Sequence, residues 1–355
     1  MVTTAPRSAP ALAPAEGRVF SVAKVLAAVG VVFLAWQAWT LVAWLADGPQ
    51  AVTQFRDPDH YSWKAARVYE GLAAVMAVGV LTYLVRSCRR EGRLTLDAKI
   101  CIGGAASLWL DPLANGVAPI FFYNSNWVNL ATWAGHTPFV INPDAGRMAH
   151  PVLFLGLVYT FGLLVFAMII NAMMRAMRRR WPGLSTARMF GLAALGGIAV
   201  DIAFEVPMYL LRLWAYPGAP DELAIFGGRA VKFPLIEILG AAMIFMSVAL
   251  LRWNRDDRGR ALVERGLGPM SPRRAGWVSV LAVIGLFNTL FLVGDSAEMV
   301  VGFYSDPYHP GMPAHLVNDL CDAPGVEGTR YGPCPGSPGF RLPVRDMPGP
   351  KPYQD

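Results

Sequence analysis

Asp201 and Glu205 stand four residues apart in the apolar run Ile-Ala-Val-Asp-Ile-Ala-Phe-Glu-Val-Pro-Met-Tyr, which has no cation until Arg212. A helix carries positions four apart on one face. Two carboxyl groups held together in a low-dielectric site share a proton, so one serves as an acid and the other as a base. Pro207, just beyond, removes the backbone bond from its own nitrogen to the Ala203 carbonyl and can leave that carbonyl free inside the bundle. The alternative is a structural pair, hydrogen-bonded to a neighbouring helix or ion-paired with Arg212 or Arg229.

A second dense stretch, Asp-Pro-Leu-Ala-Asn-Gly-Val-Ala-Pro-Ile-Phe-Phe-Tyr-Asn-Ser-Asn-Trp-Val-Asn, opens at Asp111. Pro112 disfavours helix at Asp111, and Asn115, Gly116 and Pro119 weaken any helix beyond it, so a break is expected here. Broken helices at membrane depth line a cavity or pack against protein. Asp111 is the candidate stabiliser of positive charge beside the Asp201 and Glu205 acid–base pair. Asn115, Tyr123, Asn124, Asn126, Trp127 and Asn129, with Glu237, are candidate binding residues for an oxygenated, largely apolar ligand. An interfacial aromatic belt explains the tryptophans equally well, but not the Asp-Pro step or the asparagines.

These residues need a scaffold, and the chain supplies apolar runs near residues 21–46, 65–85, 99–121, 151–173, 187–210, 231–252 and 276–294. Each approaches the roughly 20 residues that cross a bilayer. With 54% hydrophobic and 16% charged residues, the class is an all-α polytopic membrane bundle of about seven transmembrane helices. Asp111 lies twelve residues past Lys99, so at about 1.5 Å per residue it sits about 18 Å into its span. Asp201 reaches nearly the same height from Arg188, and Glu70, Glu237, Asp295 and Glu298 fall toward the same side. Glu70, Asp295 and Glu298 also read as helix-end residues at headgroup level.

Arginines crowd the turns around residues 86–99 and 175–188, and seven lie between Arg252 and Arg274, whereas the loop before residue 151 holds only Arg147. Lys and Arg accumulate in short cytoplasmic loops. The expected arrangement is therefore a cytoplasmic N-terminus, disordered over 1–20, a transmembrane domain over 21–303, and an extracytoplasmic Pro/Gly-rich tail over 304–355. The net charge of +6 resides mostly in those turns, which points to membrane lipids and not to nucleic acid. Cys321 and Cys334 lie in the tail, where a disulfide can form, the alternative being two free thiols.

The order D-P-x-x-N, P-x-F-F-Y-N-S and N-x-x-x-W, carried by Asp111 to Trp133, resembles the AveC-type spirocyclase family. That family takes its name from a membrane enzyme that closes a dihydroxyketone into a spiroketal. The resemblance implies cofactor-independent cyclisation or dehydration of a polyketide- or terpenoid-like substrate in the outer half of the bundle. Such chemistry requires neither metal nor redox cofactor, and the sequence offers no ligand set for either. It identifies no catalytic residue by itself.

Other classes fit less well. The five histidines, His60, His136, His150, His309 and His315, are too scattered for a membrane di-iron oxygenase, and only His150 approaches a haem-ligand position. The last span has no lysine for a retinal Schiff base. A proton-coupled transporter would share intramembrane carboxylates but also show repeats, and none is detected. The principal alternative is a non-catalytic lipid- or terpenoid-binding protein, or an accessory subunit of an unidentified membrane enzyme.

Overall fold

The computed structural model describes residues 21–49, 52, 61–142, 145–230, 232–309, 312–317 and 320. Among them six helices are long and apolar enough to cross a membrane. These are α1 (Val22–Asp47), α2 (Tyr61–Glu91), the continuous Val152–Arg180 rod, α6 (Thr186–Leu210), α7 (Leu235–Trp253) and α8 (Pro272–Val301). The rod comprises α4 (Val152–Leu157), a π turn (Val158–Gly162) and α5 (Leu163–Arg180).

The expected third span has a different form. A ten-residue helix, α3 (Leu96–Ala105), gives way to a 3₁₀ helix over Leu108–Asn115. The regular helix therefore ends well before the Asp-Pro step where the sequence placed the break. Ser107 turns its hydroxyl back onto the Gly104 carbonyl at 2.9 Å, and Pro112 is accommodated within the 3₁₀ segment. At about 1.5 and 2.0 Å per residue the two pieces still reach about 30 Å, the thickness of a hydrocarbon core.

Close backbone approach fixes this irregular element. A Cβ at Gly104 would lie 2.0 Å from the Tyr159 carbonyl oxygen, so only glycine lets α3 rest on the π turn. The seam between α1 and α8 obeys the same rule, since a Cβ at Gly285 would meet the Leu26 carbonyl oxygen at 2.0 Å. At the arginine-rich end, buried Asp97 receives Arg252 Nε and Nη2 at 2.9 and 3.1 Å and the Tyr83 hydroxyl at 2.7 Å, joining α2, α3 and α7.

The opposite end is capped by long connections, and here the fold departs from all-α. Among the described residues three two-stranded antiparallel ribbons occur: β1 (Phe122–Tyr123) with β4 (Trp214–Ala215), β2 (Leu130–Ala131) with β3 (Ala149–His150), and β5 (Ala224–Ile225) with β6 (Phe233–Pro234). Buried loop backbone needs partners, and short ribbons supply them where helices cannot. Beyond α8, Tyr308 donates to the Pro119 carbonyl, and the short helix α9 (Ala314–Val317) packs with Phe122, Met148 and Ala215. Residues 1–20 and both Cys321 and Cys334 lie outside the described residues.

Candidate functional site

A cavity of about 110 Å³ opens beneath this cap, walled by the 3₁₀ helix, the π turn and α6, α7 and α8. Five carboxyl groups line it, from Asp111, Glu205, Glu237, Asp295 and Glu298, together with the tyrosines Tyr123, Tyr159, Tyr209 and Tyr216. No lysine or arginine is among the lining residues described. Phe121, Phe154, Phe166, Phe204, Phe245 and Phe291 supply much of the apolar wall.

The carboxyl groups fall into two environments. Asp111, on the 3₁₀ helix, accepts the Tyr159 hydroxyl at 2.8 Å and the Tyr123 hydroxyl at 3.0 Å to both oxygens. His150 Nε2 stands 3.2 Å from Asp111 Oδ2. That contact is close but not directed as a hydrogen bond, and neither ring nitrogen of the fully buried His150 has an aligned partner among the described residues. Each neighbour has a traceable local cause. The π turn presents Tyr159, β1 presents Tyr123 by pairing it with Trp214, and β3 presents His150 opposite Leu130. The indole of Trp133 packs against the His150 ring, centroids 4.8 Å apart.

The second environment joins three helices. Tyr209 donates to Glu205 Oε2 at 3.2 Å, and Tyr216 donates to Glu237 Oε2 at 2.9 Å, with Glu298 Oε2 at 3.4 Å. Glu205, Glu237 and Glu298 line the same cavity, and the Tyr216 hydroxyl links Glu237 and Glu298. No basic residue forms an ion pair with any of the three among the described residues; Arg229 instead lies over the Phe226 ring, 5.9 Å from its centroid. The two loop tyrosines stay hydroxyl donors. Burial pushes the Tyr123 and Tyr216 hydroxyls well above the ordinary tyrosine range, and the charges of Asp111 for the first and of Glu237 and Glu298 for the second add to it.

The sequence-based candidates separate on this geometry. Asp111, Tyr123, Glu205 and Glu237 line the cavity. Asp201 does not: it is fully buried one turn from Glu205, and neither carboxyl oxygen has a hydrogen-bond partner among the described residues. Helical spacing gave the pair a common side of α6, but only Glu205 lines the cavity, where Tyr209 of its own helix donates to it. The remaining candidate binding residues build the cap and are not among the cavity's lining. Asn115 Oδ1 accepts from the Ile120 and Phe121 amides, both at 2.9 Å, and Asn124 Nδ2 donates to the Arg212 carbonyl at 2.9 Å. Asn126 donates through its backbone amide to Asn124 Oδ1 at 2.7 Å, Asn129 Nδ2 to the Ser125 carbonyl at 2.8 Å, and Trp127 Nε1 to the Leu213 carbonyl at 2.9 Å. Asparagine is suited to this, since its side chain satisfies backbone groups that loops leave open. Glu70 likewise accepts the Val128 amide at 2.7 Å and pairs with Arg67 at 2.8 Å, anchoring the cap to α2.

Tyr159, Tyr209, Tyr216 and His150 were not singled out as site residues by sequence. Tyr209 carries a signal, standing four residues after Glu205, and His150 stands out in the sequence only as the histidine nearest a haem-ligand position. Tyr159 and Tyr216 carried none, because a π turn and a strand pairing decide where they point.

A family model described as Spirocyclase AveC-like matches residues 90–305, a stretch that contains every cavity-lining residue named above. No curated protein and no solved structure matches the chain.

Proposed function

The chain belongs to the AveC-like spirocyclase family, and on that premise we propose that it is a membrane-embedded cyclase that closes a neutral, oxygenated, apolar substrate by acid–base catalysis. The observation that carries this reading is the cavity's lining of five carboxyl groups and four tyrosines without a lysine or arginine. A site of this composition suits a neutral substrate that becomes positively charged along the reaction, because carboxylates lower the free energy of developing cation and a dry wall strengthens their effect.

The two environments divide the work. The cluster of Glu205, Glu237 and Glu298 donates a proton. Asp111, held by the hydroxyls of Tyr123 and Tyr159, faces the developing charge. A substrate hydroxyl adds to the ketone carbon and gives a hemiketal. A glutamic acid of the cluster protonates the hemiketal hydroxyl, the C–O bond breaks, and water departs, leaving an oxocarbenium ion that Asp111 stabilises. The second substrate hydroxyl attacks that carbon, and its proton returns to the cluster. The net change is the loss of one water with no change in oxidation state.

Size constrains the substrate. An apolar cavity of about 150 Å³ holds one benzene ring, so about 110 Å³ encloses only the reacting portion of a larger molecule. The apolar helices set the enzyme in a membrane, with the arginine-rich turns on the cytoplasmic side and the cap on the outer side. The polyketide- or terpenoid-like character of the substrate comes from the family.

The reading is tested by mass spectrometry of lipid extracts from a host strain carrying wild type or Glu205→Gln at equal level. A precursor heavier than the normal product by one water, accumulating only in the variant, is expected. Identical profiles would overturn the enzyme reading in favour of a lipid- or terpenoid-binding protein.

A further inference from the structure

At the end opposite the cap, a second and larger cavity of about 610 Å³ lies between the α2–α3 turn, the 254–271 loop and the start of α8. Its walls carry Arg93, Lys99, Arg258, Arg260 and Arg273, and its lining has a single carboxylate, Glu264. Acidic neighbours meet part of this charge, among them Asp256 at 2.9 Å from Arg260 and Glu91 at 3.2 Å from Arg93, and basic side chains still outnumber carboxylates in the lining.

The floor of this cavity is built. Lys99 is 4% exposed, and its ammonium donates to Glu264 Oε1 at 2.7 Å and to the Ser279 hydroxyl at 3.0 Å. Glu264 in turn accepts the Ala261 amide at 3.1 Å, which holds the 254–271 loop against α3 and α8. Arg93, Arg258 and Arg273 stand exposed at the rim. On the outward side Leu94 and Trp277 are 44% and 61% exposed, where α8 turns from its charged start to its apolar length.

We propose that this cavity is a binding site for the phosphate headgroup of an anionic membrane lipid, whose acyl chains run along the exposed face beginning at Trp277. Three features select a lipid over a free anion. The cations surround a cavity open beside an apolar helix face, the aromatic side chain sits where headgroup meets hydrocarbon, and basic pockets between membrane helices at an arginine-rich end suit phosphate headgroups. Arginine and lysine together offer the charge and the several N–H donors that phosphate oxygens accept. Bound there, a lipid would tie the loop to α3 and α8 at the end of the bundle remote from the acidic cavity.

The test uses the full-length protein in nanodiscs that contain phosphatidylglycerol and phosphatidylcholine in equal amounts, with native mass spectrometry of retained lipid. Three forms are compared: wild type, Arg258→Gln with Arg273→Gln, and a control with the same charge loss elsewhere, Arg175→Gln with Arg179→Gln. Each basic group near a membrane surface is worth about a fivefold preference for anionic lipid. Phosphatidylglycerol retention is expected to fall at least tenfold in the first double variant and to remain within twofold of wild type in the control. An equal loss in both would overturn the site in favour of diffuse surface charge. Displacement of the lipid by millimolar inorganic phosphate would overturn the lipid assignment in favour of a free-phosphate site. No change in either variant would overturn the proposal altogether.

Discussion

The hydroxyl of Tyr159 reaches Asp111 Oδ1 at 2.8 Å because a π turn interrupts the helix that carries it, while Gly104 lets α3 rest on the Tyr159 carbonyl. One residue is thus held from both its backbone and its side chain. A hydrogen bond to a charged group is worth about 1.5–3 kcal/mol, so Tyr159→Phe should slow product formation by about tenfold to a hundredfold. Asp111→Asn should slow it further, and the double variant should be no slower than Asp111→Asn alone. Strictly additive losses in the rate of product formation would contradict the shared role.

The acidic cluster predicts a contrast between a carboxyl of α7 and one of α6. Glu237 lines the cavity and accepts from Tyr216, which also reaches Glu298, whereas Asp201 lies outside the lining. Glu237→Gln should lower turnover by about a hundredfold or more, the usual range for a general acid–base group. Asp201→Asn should stay within a few-fold. Equal damage from both, measured at equal protein level, would return Asp201 to the machinery.

Gly240 and Gly294 line the cavity, and a Cβ at Gly240 would meet nothing within 4 Å. Gly240→Leu should therefore fill space without forcing backbone apart. Turnover should fall at least tenfold while the thermal midpoint stays unchanged or rises, as filling a void does. Retained turnover would place the substrate elsewhere.

Stability should depend on pH through two groups at the ends of the bundle. The Lys232 hydrogen bond at 2.7 Å, an amide hydrogen bond and the Lys232 charge hold Asp221 below its ordinary 3.8. Burial pushes Glu264 up, but the Lys99 hydrogen bond and charge outweigh it and leave Glu264 below its ordinary 4.5. A depressed carboxyl contributes stability that is present above its unfolded value and lost as pH falls through the folded one. The thermal midpoint should hold from neutrality to about pH 4.5 and then fall on acidification below that range. Glu264→Gln leaves the buried Lys99 charge without its carboxylate, at a cost of about 3 kcal/mol or more near neutral pH, and should flatten part of the acid decline. An unchanged acid profile in that variant would remove the pair from the account.

Much of the helical frame was legible in the sequence, because apolar runs of bilayer length leave few other options. Asp111, Glu205 and Glu237 were legible for a related reason: carboxyl groups inside apolar helices are costly, so they face a shared interior. The third span was misread in detail. Asp111-Pro112 suggested where a helix should fail, but α3 ends earlier, at Ala105, just past Gly103 and Gly104, which pack it closely on α8 and the π turn. The asparagine run suggested ligand contact because amides serve either purpose, and only the tertiary structure reveals that Asn115 and Asn124 close backbone turns. Asp201 and Glu205 share a helix side, but which of the two meets the void depends on how α6 is rotated against α7, and that is fixed by packing.

The most direct measurement tracks the departing oxygen. Purified protein in lipid nanodiscs would receive the uncyclised dihydroxyketone from the Glu205→Gln strain, its ketone carbonyl labelled with heavy oxygen, and products would be weighed by mass spectrometry. Dehydrative closure at the glutamate cluster predicts a product lighter by one water and free of the label, formed by wild type and not by Glu237→Gln. Recovery of the labelled precursor unchanged from wild type, or equal conversion by the variant, would contradict it.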